Sequence, residues 1–136
     1  MFEGMYLKPY LCPANVPTIG VGTIRYENGV RVTLADPPIT KERAEELLLW
    51  ELRKCVQQVL RLCPNLPSWG DKSVAAIVDF TYNLGAGNLA ASTLRKRILA
   101  DDQEGAKIEL MKWTRGGGRV LSGLVRRRGA ECALIG

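Results

Sequence analysis

The spacing of hydrophobic positions changes at about residue 40. Residues 1–38 contain five prolines and several glycines, a composition that disfavours long helices. From residue 39 onward, apolar side chains recur with the 3.6-residue period of amphipathic helices. The pattern predicts an α+β fold in a single domain, residues 1–136. This domain would have a small N-terminal β-hairpin lobe (1–38) and a larger, mostly helical lobe (39–136).

The N-terminal lobe carries a hairpin signal at Asn28 and Gly29. The flanking segments, Thr23–Glu27 and Val30–Thr33, contain β-branched and aromatic residues that alternate with charged ones. A two-residue type I′ turn needs positive φ at both central residues, which Asn and Gly tolerate. We therefore expect two strands joined by a type I′ turn.

The longest periodic segment follows Thr40. Thr40 has the side chain of a helix N-cap, and Pro64 marks a stop. The helix is predicted to run from about Lys41 to about Leu62, with Cys55 packed on its apolar face. The positions on this face, with the charged Glu51 as the exception to the apolar pattern, are Ala44, Leu47, Leu48, Glu51, Leu52, Cys55, Val59 and Leu62.

Two further helices are predicted in the middle of the chain. The second helix covers about Lys72–Asn83, with Asp71 as its N-cap and Gly85 at its end. Its apolar stripe consists of Val74, Ile77, Val78, Thr81 and Tyr82. The third helix begins at Asn88 or Ser92, both of which are cap-forming residue types. Its apolar positions are Leu94, Ile98 and Leu99.

Two more helices are predicted near the C-terminus. The fourth helix covers about Glu104–Thr114, and its apolar positions are Ala106, Ile108, Met111 and Trp113. The last helix begins with Ser122 as its N-cap and extends to Ala133. Between them, the segment Arg115–Arg119 contains three consecutive glycines and is predicted to be a loop.

The absence of histidine restricts the chemistry more than any other feature of the composition. It excludes Ser-His-Asp and Cys-His catalytic groups and every metal site that uses imidazole. Acid–base catalysis must then come from Asp, Glu, Lys, Tyr or Cys. The sequence therefore predicts neither a metal site nor a cofactor.

The four cysteines, Cys12, Cys55, Cys63 and Cys132, lack the Cys-x-x-Cys spacing of zinc and thioredoxin-type sites. A reduced state is expected, although the sequence leaves one disulfide open. Cys55 and Cys63 are eight residues apart, which is too far for a bridge within one continuous helix.

Positive charge is concentrated toward the C-terminus. The net charge is +5, and the segment from Lys112 to Arg128 contains six bases and no acid. A basic surface favours a polyanionic partner such as nucleic acid, anionic lipid or a cell-wall polymer, whereas the alternative is an ordinary solvated helix face. The six bases are Lys112, Arg115, Arg119, Arg126, Arg127 and Arg128.

The N-terminal segment carries a specific motif. Glu3 is followed after eight residues by Cys12, and after five more by Thr18, which opens the sequence Thr-Ile-Gly-Val-Gly-Thr. This spacing resembles the signature of phage-type lysozymes (endolysins) of glycoside hydrolase family 24, in which Glu, Asp or Cys, and Thr stand at the same intervals. Further segments similar to this family follow in order, namely Asp79–Gly85, Ser92–Leu94, Trp113 and Gly123–Arg128.

The resemblance implies a lysozyme-like fold with a substrate cleft between the two lobes. It also implies hydrolysis of the β-1,4 bond between N-acetylmuramic acid and N-acetylglucosamine in bacterial peptidoglycan. Glu3 would be the general acid, Cys12 would replace the more usual Asp as base or nucleophile, and Thr18 would position water. Tyr82 and Asn83 would line the cleft. Because carboxylates normally perform this reaction, a chain without histidine is compatible with it.

Cys12 departs from the usual carboxylate. A thiol with a pKa of about 8.5 is mostly protonated at neutral pH, so it needs stabilisation to act as a thiolate. Arg25 or the Arg126–Arg128 cluster are expected to supply it. A base that activates water gives inversion, whereas thiolate attack gives retention. We favour the water route, because Thr18 is placed to hold the water.

Glu3 lies closer to the N-terminus than is usual in this family, in which a helix commonly precedes it. We therefore expect that the chain is trimmed or that it lacks an export or anchoring segment. Its first residues show no secretory signal, and no apolar run reaches membrane-spanning length. The protein is expected to be made in the host cytoplasm and to act as a monomer in the periplasm or cell wall, by an export route that this chain does not encode.

Two alternative functions are a nucleic-acid-binding module and a non-catalytic wall-binding protein. The basic stretch favours the first, but aromatic residues are few and are not interleaved with the bases, so no nucleic-acid partner is predicted. The spacing of Glu3, Cys12 and Thr18 argues against the second.

Overall fold

The computed structural model describes residues 4–136, which form two compact units. The first unit ends at Arg53, and the second comprises Lys54–Gly136. The first contains a small antiparallel sheet and the second is mainly helical, so the predicted α+β class is confirmed. The division falls within the first helix. The single domain with a lobe boundary after residue 38 stays a prediction.

The strands of the first unit lie earlier than the sequence predicts. Strand β1 (Tyr6–Leu11) pairs antiparallel with strand β2 (Pro17–Gly20), and Tyr10 lies opposite Thr18. The loop between the strands is closed by a hydrogen bond from the Cys12 N–H to the Val16 carbonyl at 3.1 Å. The sequence does not show this pairing as a simple alternation of polar and apolar residues, because the strand register is irregular between Tyr6 and Tyr10.

The turn at Asn28 and Gly29 differs from the prediction. Gly29 has φ of +86°, whereas Asn28 is not in the positive-φ region. The Gly29 N–H donates to the Tyr26 carbonyl, and the Tyr26 N–H donates to the Val30 carbonyl, each at 3.0 Å. The connection is therefore a three-residue loop with glycine at its left-handed position, and the two-residue type I′ turn was wrong.

The segments beside this turn pair only briefly. A single antiparallel bridge joins Arg25 and Arg31, in place of the two predicted strands Thr23–Glu27 and Val30–Thr33. One more residue in the loop shifts the register by one position, so the pattern that predicted the strands no longer matches the pairing.

The first helix agrees with its prediction. Helix α1 spans Lys41–Leu62, and the Arg43 N–H donates to Thr40 Oγ1 at 3.0 Å, as expected of an N-cap. Cys55 is buried on its apolar face, as predicted. The other fully buried positions of this helix are Ala44, Leu47 and Val59.

Helix α2 spans Asp71–Leu84 and is preceded by a short 3₁₀ helix, Leu66–Trp69. Gly85, with φ of +93°, ends α2 as predicted. Asp71 is not the N-cap, because the chain enters the helix through Gly70, which has φ of +100° and makes no side-chain cap. Asp71 is instead the first helical residue, where its charge favours the N-terminal end of the helix dipole.

The predicted third helix is two short helices. Helix α3 (Ala86–Ala91) contains Asn88, and helix α4 (Thr93–Leu99) is opened by Ser92, whose Oγ accepts from the Arg95 N–H at 3.0 Å. Ser92 was therefore the correct one of the two proposed starts for the helix that carries Leu94, Ile98 and Leu99.

The fourth predicted helix is shorter than expected. Helix α5 spans Gln103–Leu110, is capped by Asp102, and ends before Thr114. Ile108, one of the apolar positions of this helix, is 63% exposed and does not belong to its buried face. The buried face instead includes Ala106, Glu109 and Leu110, which lie three and four positions apart.

The predicted glycine loop is a hairpin. Strands β3 (Arg115–Gly116) and β4 (Arg119–Val120) pair antiparallel around Gly117 and Gly118. These two glycines have φ of +61° and +83°, so the type I′ geometry expected at residues 28–29 occurs here instead.

Helix α6 spans Ser122–Leu134 and packs on α2. Its N-cap is Leu121, whose carbonyl accepts the first helical hydrogen bonds, and no side chain caps the helix. The predicted capping role of Ser122 was therefore wrong by one position. None of the helices within residues 4–136 combines the length and the apolarity that crossing a bilayer requires.

Candidate active site

The structure describes two of the three residues of the N-terminal motif, Cys12 and Thr18. Glu3, the predicted general acid, lies outside the described residues. Cys12 directly follows β1 and is partly exposed, whereas Thr18 lies in β2 and is only 2% exposed. Thr18 Oγ1 donates to the Val16 carbonyl at 2.8 Å. The hairpin between β1 and β2 therefore brings Cys12 and Thr18 together at one end of the small sheet.

The loop lowers the pKa of the Cys12 thiol. Hydrogen bonding from the Val16 backbone is the largest cause, and the Ala14 backbone and the Thr18 side chain add to it. Desolvation, the second-largest cause, acts in the opposite direction. A lower pKa increases the thiolate fraction near neutral pH, which both base and nucleophile roles require.

The source of this shift differs from the expected one. Arg25 and the Arg126–Arg128 cluster are not among the groups that lower the pKa of Cys12 in the described part of the chain. Backbone amides in a tight loop instead provide partial positive charges at hydrogen-bonding distance, which a sequence pattern of charged residues does not reveal.

The predicted cleft residues Tyr82 and Asn83 are neighbours in the last turn of α2, and both are half-buried. Asn83 Oδ1 accepts a hydrogen bond from Arg128 Nη2 at 2.8 Å. The side chain of Asn83 is thus connected to α6. Whether the two residues line a substrate cleft stays a prediction.

Arg128 and Glu131 form a buried pair on α6. Arg128 is fully buried and Glu131 is 2% exposed. Arg128 Nε lies 2.8 Å from Glu131 Oε1, and Nη2 donates to Oε2 at 2.9 Å. The spacing of three residues places both side chains on one face of the helix.

A second pair connects α6 to α2. Arg127 Nε and Nη2 donate to the two carboxylate oxygens of Asp79, each at 3.0 Å. This is the bidentate geometry that suits a guanidinium and a carboxylate. Both side chains are partly shielded, with exposed fractions of 14% for Arg127 and 32% for Asp79.

Burial changes the pKa values of these groups. It raises the pKa of Glu131, and the neighbouring Asp79 adds to the rise, while Arg128 acts in the opposite direction. Burial alone would also raise the pKa of Asp79, but hydrogen bonds from Arg127 and Glu131 outweigh it and the pKa of Asp79 is lowered. The two acids therefore sit side by side with opposite shifts.

These pairs revise the predicted basic face. Arg127 and Arg128 face acids inside the second unit, and Lys112 Nζ lies 2.7 Å from Glu109 Oε2. The idea of one basic face that contains all six bases was therefore wrong, because packing beside Asp79 and Glu131 withdraws Arg127 and Arg128 from solvent. The four bases that remain exposed are Lys112, Arg115, Arg119 and Arg126.

Sequence reasoning gave Glu131 no role, although its i, i+3 spacing from Arg128 was a usable signal. Asp79 entered the prediction only as part of a resembling segment. No cluster of metal-ligating side chains occurs within residues 4–136, and the four cysteines are free.

Comparison with known proteins places these features in a family. The family model for phage lysozyme matches residues 1–131. The endolysin of Bacillus phage B103 is 35% identical over 134 residues, which are 98% of this chain and 49% of that protein. The chain therefore spans about half the length of that relative.

Two solved structures share the fold. The endolysin from Escherichia coli O157:H7 phage FAHEc1 superimposes with a TM-score of 0.81 at 32% identity, covering 97% of this chain and 84% of that one. A mutant form of P22 lysozyme gives a TM-score of 0.78 at 28% identity, covering 98% and 88%. Together with the family match over residues 1–131, this likeness shows that the chain belongs to the phage lysozyme family.

Proposed function

We propose that this chain is an endolysin that degrades bacterial peptidoglycan as a glycoside hydrolase of family 24. It would cleave the β-1,4 bond between N-acetylmuramic acid and N-acetylglucosamine. Family membership supports the cell-wall substrate. The observation that carries the proposal is the β1–β2 hairpin, which holds Thr18 beside a Cys12 thiol of lowered pKa.

Glu3 is the proposed general acid. The glycosidic oxygen leaves poorly as an alkoxide, so a protonated carboxyl must deliver a proton as the bond breaks. Among the acids of the chain, Glu3 is the one at the motif spacing from Cys12 and Thr18.

Cys12 is the proposed base. As a thiolate it takes a proton from a water molecule, which then attacks the anomeric carbon with inversion of configuration. The Thr18 hydroxyl has one hydrogen and two lone pairs. It donates the hydrogen in a hydrogen bond to the Val16 carbonyl or to the thiolate. A lone pair that is left over can accept a hydrogen bond from that water and hold it in place.

The proposed partner is peptidoglycan, and the protein would act on it as a monomer without a cofactor. The reaction needs only a proton donor, a base and water. A nucleic-acid partner is disfavoured, because Arg127 and Arg128 are paired with acids and shielded from solvent, which leaves a smaller basic surface. The site of action would be the periplasm or cell wall.

Analysis of the fragments released from purified peptidoglycan tests this function. Mass spectrometry should find muramic acid at the reducing ends, since that sugar carries the cleaved anomeric carbon. Glu3→Gln should lower the rate by about 10²–10⁴-fold, because the amide keeps the size of the side chain but cannot donate the proton. Reducing-end glucosamine, or a variant that keeps more than about a tenth of the rate, would contradict the assignment.

Substitutions at Cys12 test the base. Cys12→Asp should remain active and Cys12→Ser should be nearly inactive, because a hydroxyl is not a base near neutral pH. Cys132→Ser is the matched control: Cys132 Sγ donates to the Lys107 carbonyl at 3.4 Å, and a serine can make the same bond. NMR of the first-formed anomer distinguishes the routes, since a β product would replace the inverting mechanism with a retaining one.

A further inference from the structure

The side-chain amide of Asn83 has a defined orientation. Its Oδ1 faces Arg128 Nη2 at 2.8 Å. A guanidinium has hydrogen-bond donors but no acceptor, so the amide must turn its oxygen, and not its nitrogen, toward Arg128. Nδ2 therefore points away from Arg128, and within residues 4–136 it meets no hydrogen-bond acceptor. A half-buried residue thus keeps two donors available.

Arg128 is itself held from several sides. Glu131 contacts its Nε and Nη2 at 2.8 and 2.9 Å. The guanidinium carbon lies 5.3 Å from the centroid of the Phe80 ring, and Phe80 packs edge-on against Trp113. A guanidinium that is fully buried and held in this way cannot follow a rotating amide, so it fixes the orientation of Asn83.

We propose that Arg128 is a positioning residue that turns the Asn83 amide so that Nδ2 donates a hydrogen bond to an acceptor oxygen of the glycan. The inference rests on the proposed function, in which Asn83 contacts the substrate. Two kinds of acceptor on the glycan fit this chemistry, the carbonyl oxygen of an acetamido group and the oxygen of a sugar hydroxyl. A group that can only donate has no partner at this position.

Asn83→Asp removes the donors while keeping the oxygen that Arg128 binds. The fold should persist, with an unchanged or higher melting temperature, because a carboxylate pairs at least as well with a guanidinium. KM for a soluble peptidoglycan glycan should rise about tenfold or more, with kcat within about threefold, because the lost contact is one of binding. Asn28→Asp is the control: it makes the same chemical change at an exposed turn, where Asn28 Oδ1 accepts from the Val30 N–H.

Replacing the buried pair tests the positioning role directly. The double variant Arg128→Met with Glu131→Leu leaves no unpaired charge behind, and it should raise KM several-fold because the amide of Asn83 is free to turn. Introduced into the Asn83→Asp background, the same double change should raise KM no further. Lack of additivity is the signature of residues that act through one group.

De-N-acetylated glycan identifies the acceptor. If Asn83→Asp no longer changes KM on this substrate, the acceptor is the acetamido carbonyl, and if the effect persists, it is a hydroxyl oxygen. An Asn83→Asp variant with unchanged KM on both glycans would overturn the proposal. It would also be overturned if Arg128→Met with Glu131→Leu raised KM as much in the Asn83→Asp background as in the wild type. A wild-type protein that releases no fragments would instead contradict the proposed function. If the double variant does not fold, Arg128→Lys replaces it in both backgrounds, because lysine keeps the charge beside Glu131 but lacks the guanidinium that also reaches Asn83.

Discussion

Charged side chains serve different purposes in the two units of this protein. In the first unit, Arg43 pairs with Glu27 through contacts of 2.6 Å, but both side chains remain about one third exposed. In the second unit, Arg128 pairs with Glu131 at similar distances with almost no exposure. Contact distance alone therefore does not determine how much an ion pair contributes to the free energy of unfolding. Solvent exposure sets both the desolvation cost of forming the pair and the cost of removing one partner.

The first unit also contains a small polar network around a turn. Tyr26 donates to Asp36 at 2.6 Å, and Asp36 accepts further bonds from the backbone and side chain of Thr33. Hydrogen bonding, first from Thr33 and then from Tyr26, lowers the pKa of Asp36. Burial, together with the bond to Asp36, raises the pKa of Tyr26 to about 12.

The largest effect is expected when one partner of the buried pair is removed. Arg128→Met alone should lower the free energy of unfolding by about 3–5 kcal/mol, because it breaks a buried pair and leaves Glu131 and Asn83 without the donor that they share. The double variant with Glu131→Leu should recover most of this loss. Recovery is expected because Arg128 Nη1 already lacks an acceptor within the described residues, so the native pair is incompletely satisfied.

Urea unfolding of the two variants measures this difference. A double variant as unstable as Arg128→Met would show that the cavity and packing, and not the unpaired acid, control stability here. An Arg128→Met variant with wild-type stability would show that solvent reaches Glu131.

A smaller loss is expected at the partly shielded pair. Asp79→Asn should lower the free energy of unfolding by about 1.5–3 kcal/mol, the usual range for hydrogen bonds to a charged group. The amide can accept only one of the two bonds that Arg127 donates. Thermal or urea unfolding checks the value, and a loss as large as that of Arg128→Met would remove the distinction between full and partial burial.

The exposed pair should matter least for stability. Glu27→Gln should change the free energy of unfolding by no more than about 1 kcal/mol, and the change should shrink as salt rises to about 1 M. Parallel urea titrations at low and high salt measure it. A salt-independent loss of several kcal/mol would mean that this surface pair behaves like the buried one.

The Tyr26–Asp36 bond predicts a pH window. Because the pKa of Asp36 is lowered, its contribution is present above the unfolded value of about 3.8 and is lost as pH falls. Because the pKa of Tyr26 is raised, its contribution is present below about 10 and is lost as pH rises toward about 12. The stability difference between wild type and Tyr26→Phe should thus be constant from about pH 5 to 9 and shrink outside that range. A difference that is flat across both limits would exclude this bond as its cause.

Several features that depend on neighbouring residues in the chain were predictable, although the turn at Asn28 and Gly29 and the caps at Asp71 and Ser122 were not. The limits of α1 follow from the cap at Thr40, the apolar period and the stop before Pro64, and the end of α2 follows from Gly85. The cap at Ser92 was one of two choices that local chemistry allowed. The same applies to the motif of Cys12 and Thr18, whose spacing along the chain is enough to indicate the family.

Features that depend on distant residues were not predictable. The i, i+3 spacing from Glu131 marks Arg128 as a pairing candidate but does not predict its burial, since packing on α2 buries Arg128 and leaves Arg126 exposed. The Cys12 loop is a local feature that was also missed, because its backbone conformation, and not its residue types, determines which amides reach the thiol. The sequence shows which groups are present. The desolvation and the hydrogen-bond partners of these groups are set by the folded structure, and these two factors determine charge-pair energies and pKa values.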